Sequence, residues 1–428
     1  MTDALRLLLV LPFVAAAVVH AEGRVLTLAD AQRIALEKHP KISVAQLKAL
    51  ASKEAVKQAH SAFLPQVSTN VGAVVGARDD TRLVSNSLQV SSVFDRASAS
   101  LNVSQLITDF GRSASLQQSA QLKAGADEQN IAATRAQVWL QVDAAYVAAL
   151  QAQSLLHVAE ETVKTRKLLS DQIATLAKNQ LKSELDASFA EVNLQDAQLL
   201  LSKSQSDLQS AYATLAALLD EPNTRTYQLS ESNSPNTLPA DASLLIASAL
   251  KDKPELARLR LEQQAAQAFA KAEKGLSKPT LSVQGATGVL PWHDKNLNEN
   301  YAAAGLVLSW PLSTGGLNKA RQQEADLKEK SAAAALRDEE NNTTRDVRLA
   351  WLAAKNAQER VTITAQLLEQ ARRTLSLAQA RYDAGSSSIV ELSQSQLNVT
   401  TAEITHTSAR YDSLLRRSVL DYTTGRMR

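Results

Sequence analysis

The chain has 428 residues, of which 45% are apolar but only 4% aromatic. It is long enough for two or three domains and too apolar for disorder; the apolar share rests on Ala, Leu and Val, which favours helices packed side by side. With 46 basic against 44 acidic residues the formal net charge is +2, so no strong field draws nucleic acid, and the basic tail of Arg416, Arg417, Arg426 and Arg428 reads as a solvated end. The absence of cysteine excludes disulfides, thiolate metal sites, cysteine nucleophiles and a lipid-modified N-terminal cysteine.

Arg6 precedes an apolar run from Leu7 to Val19, and Val19-His20-Ala21 offers small residues at the cleavage positions. A run of about 13 residues is too short to span a bilayer, so residues 1–21 read as a secretory signal, with a retained anchor as the alternative. Thr27 or Asp30 then caps a helix whose apolar residues Ile34, Ala35, Ile42, Ala45, Leu47 and Ala49 carry it past Pro40 toward Phe63. Two strands are expected within 65–109. Ala97, Ala99, Leu101 and Val103 alternate strictly with Ser98, Ser100, Asn102 and Ser104, while Val67, Thr69, Val71, Ala73 and Val75 alternate more loosely. A loop near Gly76 to Phe94 joins them into a hairpin. Gly111 breaks the chain, and the proline-free stretch 112–178 predicts a helix about 100 Å long, with Val138, Val142, Ala145 and Ala149 on one apolar seam. Asn179-Gln180 interrupts it and a second helix runs back over 182–219. Residues 221–240, rich in Pro, Asn and Ser, read as a linker.

The order then repeats. Lys278-Pro279-Thr280-Leu281-Ser282 reads like Leu64-Pro65-Gln66-Val67-Ser68, and Lys253-Pro254 like His39-Pro40. After a deletion between Pro279 and Leu306, one fixed offset pairs Leu101 with Leu306, Gly111 with Gly316, Val142 with Val347, Tyr146 with Trp351, Ser183 with Ser388, Asp186 with Glu391 and Leu215 with Leu420. The second copy therefore has a helix from near Asp241 to Gly275, a hairpin within 278–312, a long helix from Gly316 to a break at Gly385, and a return helix over 387–422. The chain reads as a mainly α protein with a small β part, its first structural repeat at 22–220 and its second at 241–428.

Four strands of roughly 12 residues match the span of a tilted transmembrane strand, yet four cannot close a barrel. An open sheet edge in hydrocarbon leaves backbone groups unpaired at several kcal/mol each, so other subunits must complete the wall. Phe63, Phe110 and Trp310 at one end of the strands, with Phe94, Trp292 and Tyr301 at the other, suit an aromatic girdle. No histidine pair has the spacing of helical metal ligands, and no phosphate loop, nucleophile elbow or dinucleotide fingerprint occurs. Neither an enzyme nor a cofactor is expected. A secreted or periplasmic coiled coil used for adhesion or scaffolding would account for the helices but not for the strands.

Several short motifs resemble the TolC family of outer-membrane channels, over nearly the whole chain after the signal. They are Leu28-Ala29-Asp30-Ala31 with Ala35 and His39-Pro40, Phe63-Leu64-Pro65, Phe110-Gly111-Arg112, Pro311-Leu312 with Gly315-Gly316, and Arg381-Tyr382 with Gly385 and Ile389-Val390-Glu391-Leu392. The resemblance implies a homotrimer whose 12-stranded barrel sits in outer-membrane lipid and whose 12-helix tunnel crosses the periplasm, closed at its inner tip. It implies partners as well: a periplasmic adaptor (membrane fusion) protein and an inner-membrane transporter that supplies energy, in a tripartite efflux pump or a type I secretion system. In the same terms Glu391 stands at the channel constriction, where threefold symmetry makes an acidic ring, and Gln394 stands one turn later, where well-known members carry a second acid. Tyr382 and Asp186 stand where a phenol-to-carboxylate tie latches the tip, and Ser387 where some members carry a linking arginine.

Overall fold

The computed structural model describes residues 25–74, 81–84, 90–93, 96–221, 227–231, 238–292 and 298–427. The expected signal, most of the loop from Gly76 to Phe94, Phe94 itself and part of the linker lie outside the described residues.

Strand β1 (Val25–Leu26) leads into helices α1 (Leu28–Lys38) and α2 (Pro40–His60), then β2 (Gln66–Val74), β3 (Thr81–Val84), β4 (Val90–Val93) and β5 (Arg96–Thr108). Helices α3 (Arg112–Lys178) and α4 (Glu184–Leu218) follow. The second half reads β6 (Gln228–Leu229), α5 (Ser243–Asp252), α6 (Pro254–Lys274), β7 (Thr280–Trp292), β8 (Asn300–Ser309), α7 (Leu317–Asp383) and α8 (Ile389–Thr423). Helices α3 and α7 have 67 residues each and α4 and α8 have 35 each, in the register of the sequence repeat. At about 1.5 Å per residue, α3 and α7 are each about 100 Å long.

One expectation fails at Pro40. The Thr27 hydroxyl does cap α1, accepting from the Asp30 amide at 3.1 Å, but the helix stops at His39, which is extended at φ −62° and ψ 123°. Proline has no N–H to donate and its ring clashes with a helical residue before it, so α2 starts afresh with Pro40 in its first turn. The second copy breaks at Lys253 before Pro254 for the same reason.

Strands β2, β5, β7 and β8 form one antiparallel sheet in that order. Each repeat supplies a hairpin, and the pairing of β5 with β7 joins the repeats. Among the described residues the outer edges, β2 and β8, pair with no further strand. Val67, Val71, Leu101, Val103, Leu306 and Leu308 are exposed on this sheet, as are the strand-end aromatics Phe110, Trp292, Tyr301 and Trp310.

The strand-side half of α3 is flanked by α2 and α6, with Lys53 paired to Glu128 at 2.7 Å and the Ser119 hydroxyl donating to the Ala265 carbonyl at 2.8 Å. Its far half is flanked by α4 and α8, with Arg166 donating to the Asn193 carbonyl at 3.0 Å and Ser154 bonded to Tyr411 at 2.7 Å. Helix α7 meets α6 and then α8, as the pairs Lys274 with Asp326 at 3.1 Å and Arg372 with Glu403 at 2.8 Å show. Helices thus lie side by side along the whole length, and alanine lets them approach closely.

The largest core lies midway, where Val138, Val142, Ala145 and Ala149 are buried with Ile34, Ile42, Leu208 and Leu215. The linker takes part in it. Strand β6 pairs in parallel with β1, the Tyr146 hydroxyl donates to the Leu26 carbonyl at 2.7 Å, and the Ser230 amide donates to that hydroxyl at 3.2 Å. In the second repeat the counterpart of Tyr146, Trp351, ties its own incoming segment, its indole N–H donating to the Pro239 carbonyl at 3.0 Å.

Candidate functional site

The far ends of the long helices are two turns built alike. After α3, Gln180 is left-handed (φ 59°), and the amides of Gln180 and Leu181 donate back to the carbonyls of Ala177 and Leu176, both at 2.9 Å. After α7, Gly385 is left-handed (φ 70°), and the amides of Gly385 and Ser386 donate to the carbonyls of Tyr382 at 3.0 Å and Arg381 at 2.9 Å. Both are Schellman turns, which satisfy helix-end carbonyls that have no partner within the helix. Ser183 and Ser388 then cap the return helices, their hydroxyls accepting from the amides of Asp186 at 3.1 Å and Glu391 at 3.3 Å. Gly111 and Gly316, the other two helix breaks, cap α3 and α7 at the opposite, strand-side end, with φ 91° and 89°.

The two turns lie side by side. Ile173 and Ala190 of the first hairpin pack with Tyr382, Ile389 and Leu392 of the second. The Asn193 side-chain amide donates to the Ser393 hydroxyl at 3.0 Å, and the Lys182 ammonium lies 4.2 Å from the centre of the Tyr382 ring, a cation–π contact. Behind them Arg166 is buried, and burial lowers its pKa against the pull of Asp196.

The structure brings the expected latch residues to one place but not into the expected bond. The Asp186 carboxylate folds back on its own helix, accepting from the Ser183 amide at 3.4 Å and completing a capping box. Tyr382 is 7% exposed and its hydroxyl is buried without a hydrogen-bond partner, so the ring and not the oxygen makes the contact between hairpins. Ser387 bridges no hairpins; its hydroxyl donates to Oε2 of Glu391 at 2.6 Å. Glu391 is not a bare carboxylate either, because Arg381 Nη1 donates to its Oε1 at 2.7 Å. Gln394 donates along its own helix to Asn398 at 3.0 Å.

Sequence reasoning missed the roles of Lys182 and Arg381. For Arg381 a signal existed: a basic residue closing one helix and an acid opening the next both suit the helix dipoles, and the turn between them is tight. For Lys182 there was none, since its partner lies in the other repeat. Among the described residues no helix is long and apolar enough to cross a membrane.

Solved structures share this fold. CusC, studied for the conformational changes that accompany folding and transmembrane channel formation, is 18% identical over 94% of this chain and 93% of that one, with a TM-score of 0.82. The outer membrane protein VceC of Vibrio cholerae is 16% identical over 93% of this chain and 96% of that one, with a TM-score of 0.79. The open state of the Neisseria gonorrhoeae MtrE outer membrane channel is 20% identical over 93% of this chain and 88% of that one, with a TM-score of 0.76. Likeness at such identity shows the fold alone, and no curated protein sequence matches significantly. The sequence model of outer membrane efflux proteins, however, matches residues 32–221 and 245–426, one segment in each repeat. The chain therefore belongs to the outer membrane efflux protein family, whose members are channels of the outer membrane with helices reaching into the periplasm.

Proposed function

We propose that three copies of this chain form the exit duct of an efflux pump. The observation that carries this reading is the four-stranded sheet, which exposes apolar residues and leaves β2 and β8 as unpaired edges. In hydrocarbon each unsatisfied backbone group costs several kcal/mol, so β8 of one copy meets β2 of the next, and three copies give a closed barrel of about 12 strands. The helices support the same assembly. Leu185, Phe189, Val192 and Leu199 recur along one face of α4 and are exposed, an apolar seam that a neighbouring copy covers.

The end opposite the sheet is the entrance. Glu391 and Gln394 line its constriction, and the contact of Lys182 with Tyr382 and the bond from Asn193 to Ser393 hold the two hairpins together, the role first expected of Asp186 and Tyr382. The duct supplies a path, and energy comes from an inner-membrane transporter reached through a periplasmic adaptor. The efflux character of the family favours a pump over type I secretion.

In detergent the protein should have the mass of about three chains, shift on a gel when heated, and conduct ions in planar bilayers. A stable, water-soluble monomer would overturn the reading. Deleting the gene should raise drug or metal sensitivity while leaving secreted proteins unchanged; the reverse would assign the chain to type I secretion.

A further inference from the structure

We propose that Arg381 sets the ionic preference of the entrance, by neutralising Glu391 within each chain. The proposal rests on the channel reading above and goes beyond it, because a bare ring of glutamates would make the constriction a cation filter.

Both carboxylate oxygens of Glu391 are engaged, Oε1 by Arg381 at 2.7 Å and Oε2 by the Ser387 hydroxyl at 2.6 Å. The turn builds this geometry. The amide and the hydroxyl of Ser386 both donate to the Arg381 carbonyl, at 2.9 and 3.0 Å, which fixes the last turn of α7. Ser388 caps the first turn of α8, and two residues 10 positions apart come face to face. Each charge also sits at the helix end that favours its sign.

The side chains are 58% and 41% exposed, so the pair adds little to stability. Its consequence is electrostatic. Three unpaired carboxylates around an axis repel one another and concentrate cations. Three paired ones present dipoles, whose field falls off faster than that of a charge and is screened further over about 8 Å at physiological salt. Other polar groups nearby do not replace it: Gln394 is bonded to Asn398 at 3.0 Å, the Asp383 carboxylate accepts from Gln379 at 2.9 Å, and Lys182 is seated on Tyr382. In the first repeat Leu176 stands at the place of Arg381, so the compensation belongs to the second hairpin.

Reversal potentials of the purified trimer in planar bilayers under a potassium chloride gradient test this. Wild type should show only a weak preference. Arg381→Gln should raise the ratio of potassium to chloride permeability several-fold, Glu391→Gln should lower it several-fold, and the double variant should return it toward wild type. Arg381→Lys, which keeps the charge, should stay near wild type, and trimer bands on gels confirm that each variant assembles. If Arg381→Gln leaves the ratio unchanged while Glu391→Gln shifts it, the compensation is wrong. If neither shifts it, the pair lies off the ion path and the proposal falls, while the conductance itself upholds the channel. A wild-type protein that neither assembles nor conducts would defeat the channel reading first.

Discussion

Asp186 and Glu391 occupy the same place in the two repeats, the third residue of a return helix behind a capping serine. Asp186 closes a capping box on Ser183, whereas Glu391 reaches across the turn to Arg381. Reach and neighbours explain the difference. Aspartate is one methylene shorter and finds its own cap first, and the counterparts of Arg381, Tyr382 and Ser387 in the first repeat are Leu176, Ala177 and Lys182. Duplication has kept what the backbone requires, a left-handed residue and a serine cap, and has let the side chains above it diverge. The chemistry of this end of the helices therefore lies in the differences between the hairpins and its architecture in their likeness.

The largest effect should come from attacking what is shared. Gly385→Val places a β-branched side chain at φ 70° and should cost about 1–2 kcal/mol at that hairpin. Gln180→Gly, at the matching residue, should change stability by less than about 1 kcal/mol, since relief of strain and loss of chain entropy oppose each other. Hydrogen exchange of the two turns reads both. Equal damage from the two variants would mean that the turns are not equivalent.

Next come the caps. Ser183→Ala and Ser388→Ala should each cost about 1 kcal/mol, seen as faster exchange in the first turns of α4 and α8. Asp186→Ala should loosen α4 as well, because its side chain completes the capping box. Glu391→Ala should leave the Ser388 amide as protected as before, because that carboxylate is turned to Arg381. Faster exchange at Ser388 in this variant would erase the distinction between the two acids.

Smaller still is the contact between hairpins. Lys182→Met keeps the stem and removes a half-buried cation, a loss of about 1 kcal/mol. It should raise the open fraction of single channels. Tyr382→Phe keeps the ring and discards a hydroxyl that has no partner, so its conductance should match wild type. Opening by Tyr382→Phe would restore the hydroxyl to the latch.

Local features were legible in the sequence. The two long helices, their glycine and asparagine–glutamine breaks and the alternation of β5 are written in short-range periodicity and turn chemistry, which act within a few residues. Pro40 shows the limit, since Ile34, Ala35, Ile42 and Ala45 keep a helical rhythm on both sides of a break that only the missing N–H and the ring clash reveal. Strand order was not legible either: alternation identifies β5 but cannot say that it pairs with β7. At the far ends of the long helices the turns could be read and the partners could not. Asp186 had a local cap and a distant phenol to choose between, and the local bond orders less of the chain.

The smallest expected effect lies midway along the helices, where the repeats differ in charge again. Asp143 is 3% exposed and accepts from the Gln32 side-chain amide at 2.5 Å, whereas its counterpart Arg348 is exposed. Burial raises the pKa of Asp143 above its ordinary 3.8, Asp421 pushes the same way, and hydrogen bonds from Gln32 and Ser418 offset only part of the rise. The folded chain thus holds this proton more tightly than the unfolded one. As pH climbs from below 3.8 through the raised value, the unfolded chain loses the proton first, and the stability present at low pH is lost. Carboxylates with lowered pKa, such as Asp30 and Asp241, act in the opposite sense, so the quantity to read is the difference between variant and wild type. Asp143→Asn keeps an acceptor for Gln32 but cannot titrate, and melting temperature should then fall less with pH, or rise more, than in wild type across that window. Arg348→Gln should move the slope only slightly and in the opposite sense, because Arg348 is the weakest of the pulls that lower the pKa of Asp241. An identical slope in Asp143→Asn would show that this aspartate titrates normally in the folded chain, and that the repeats differ there in sequence but not in energetics.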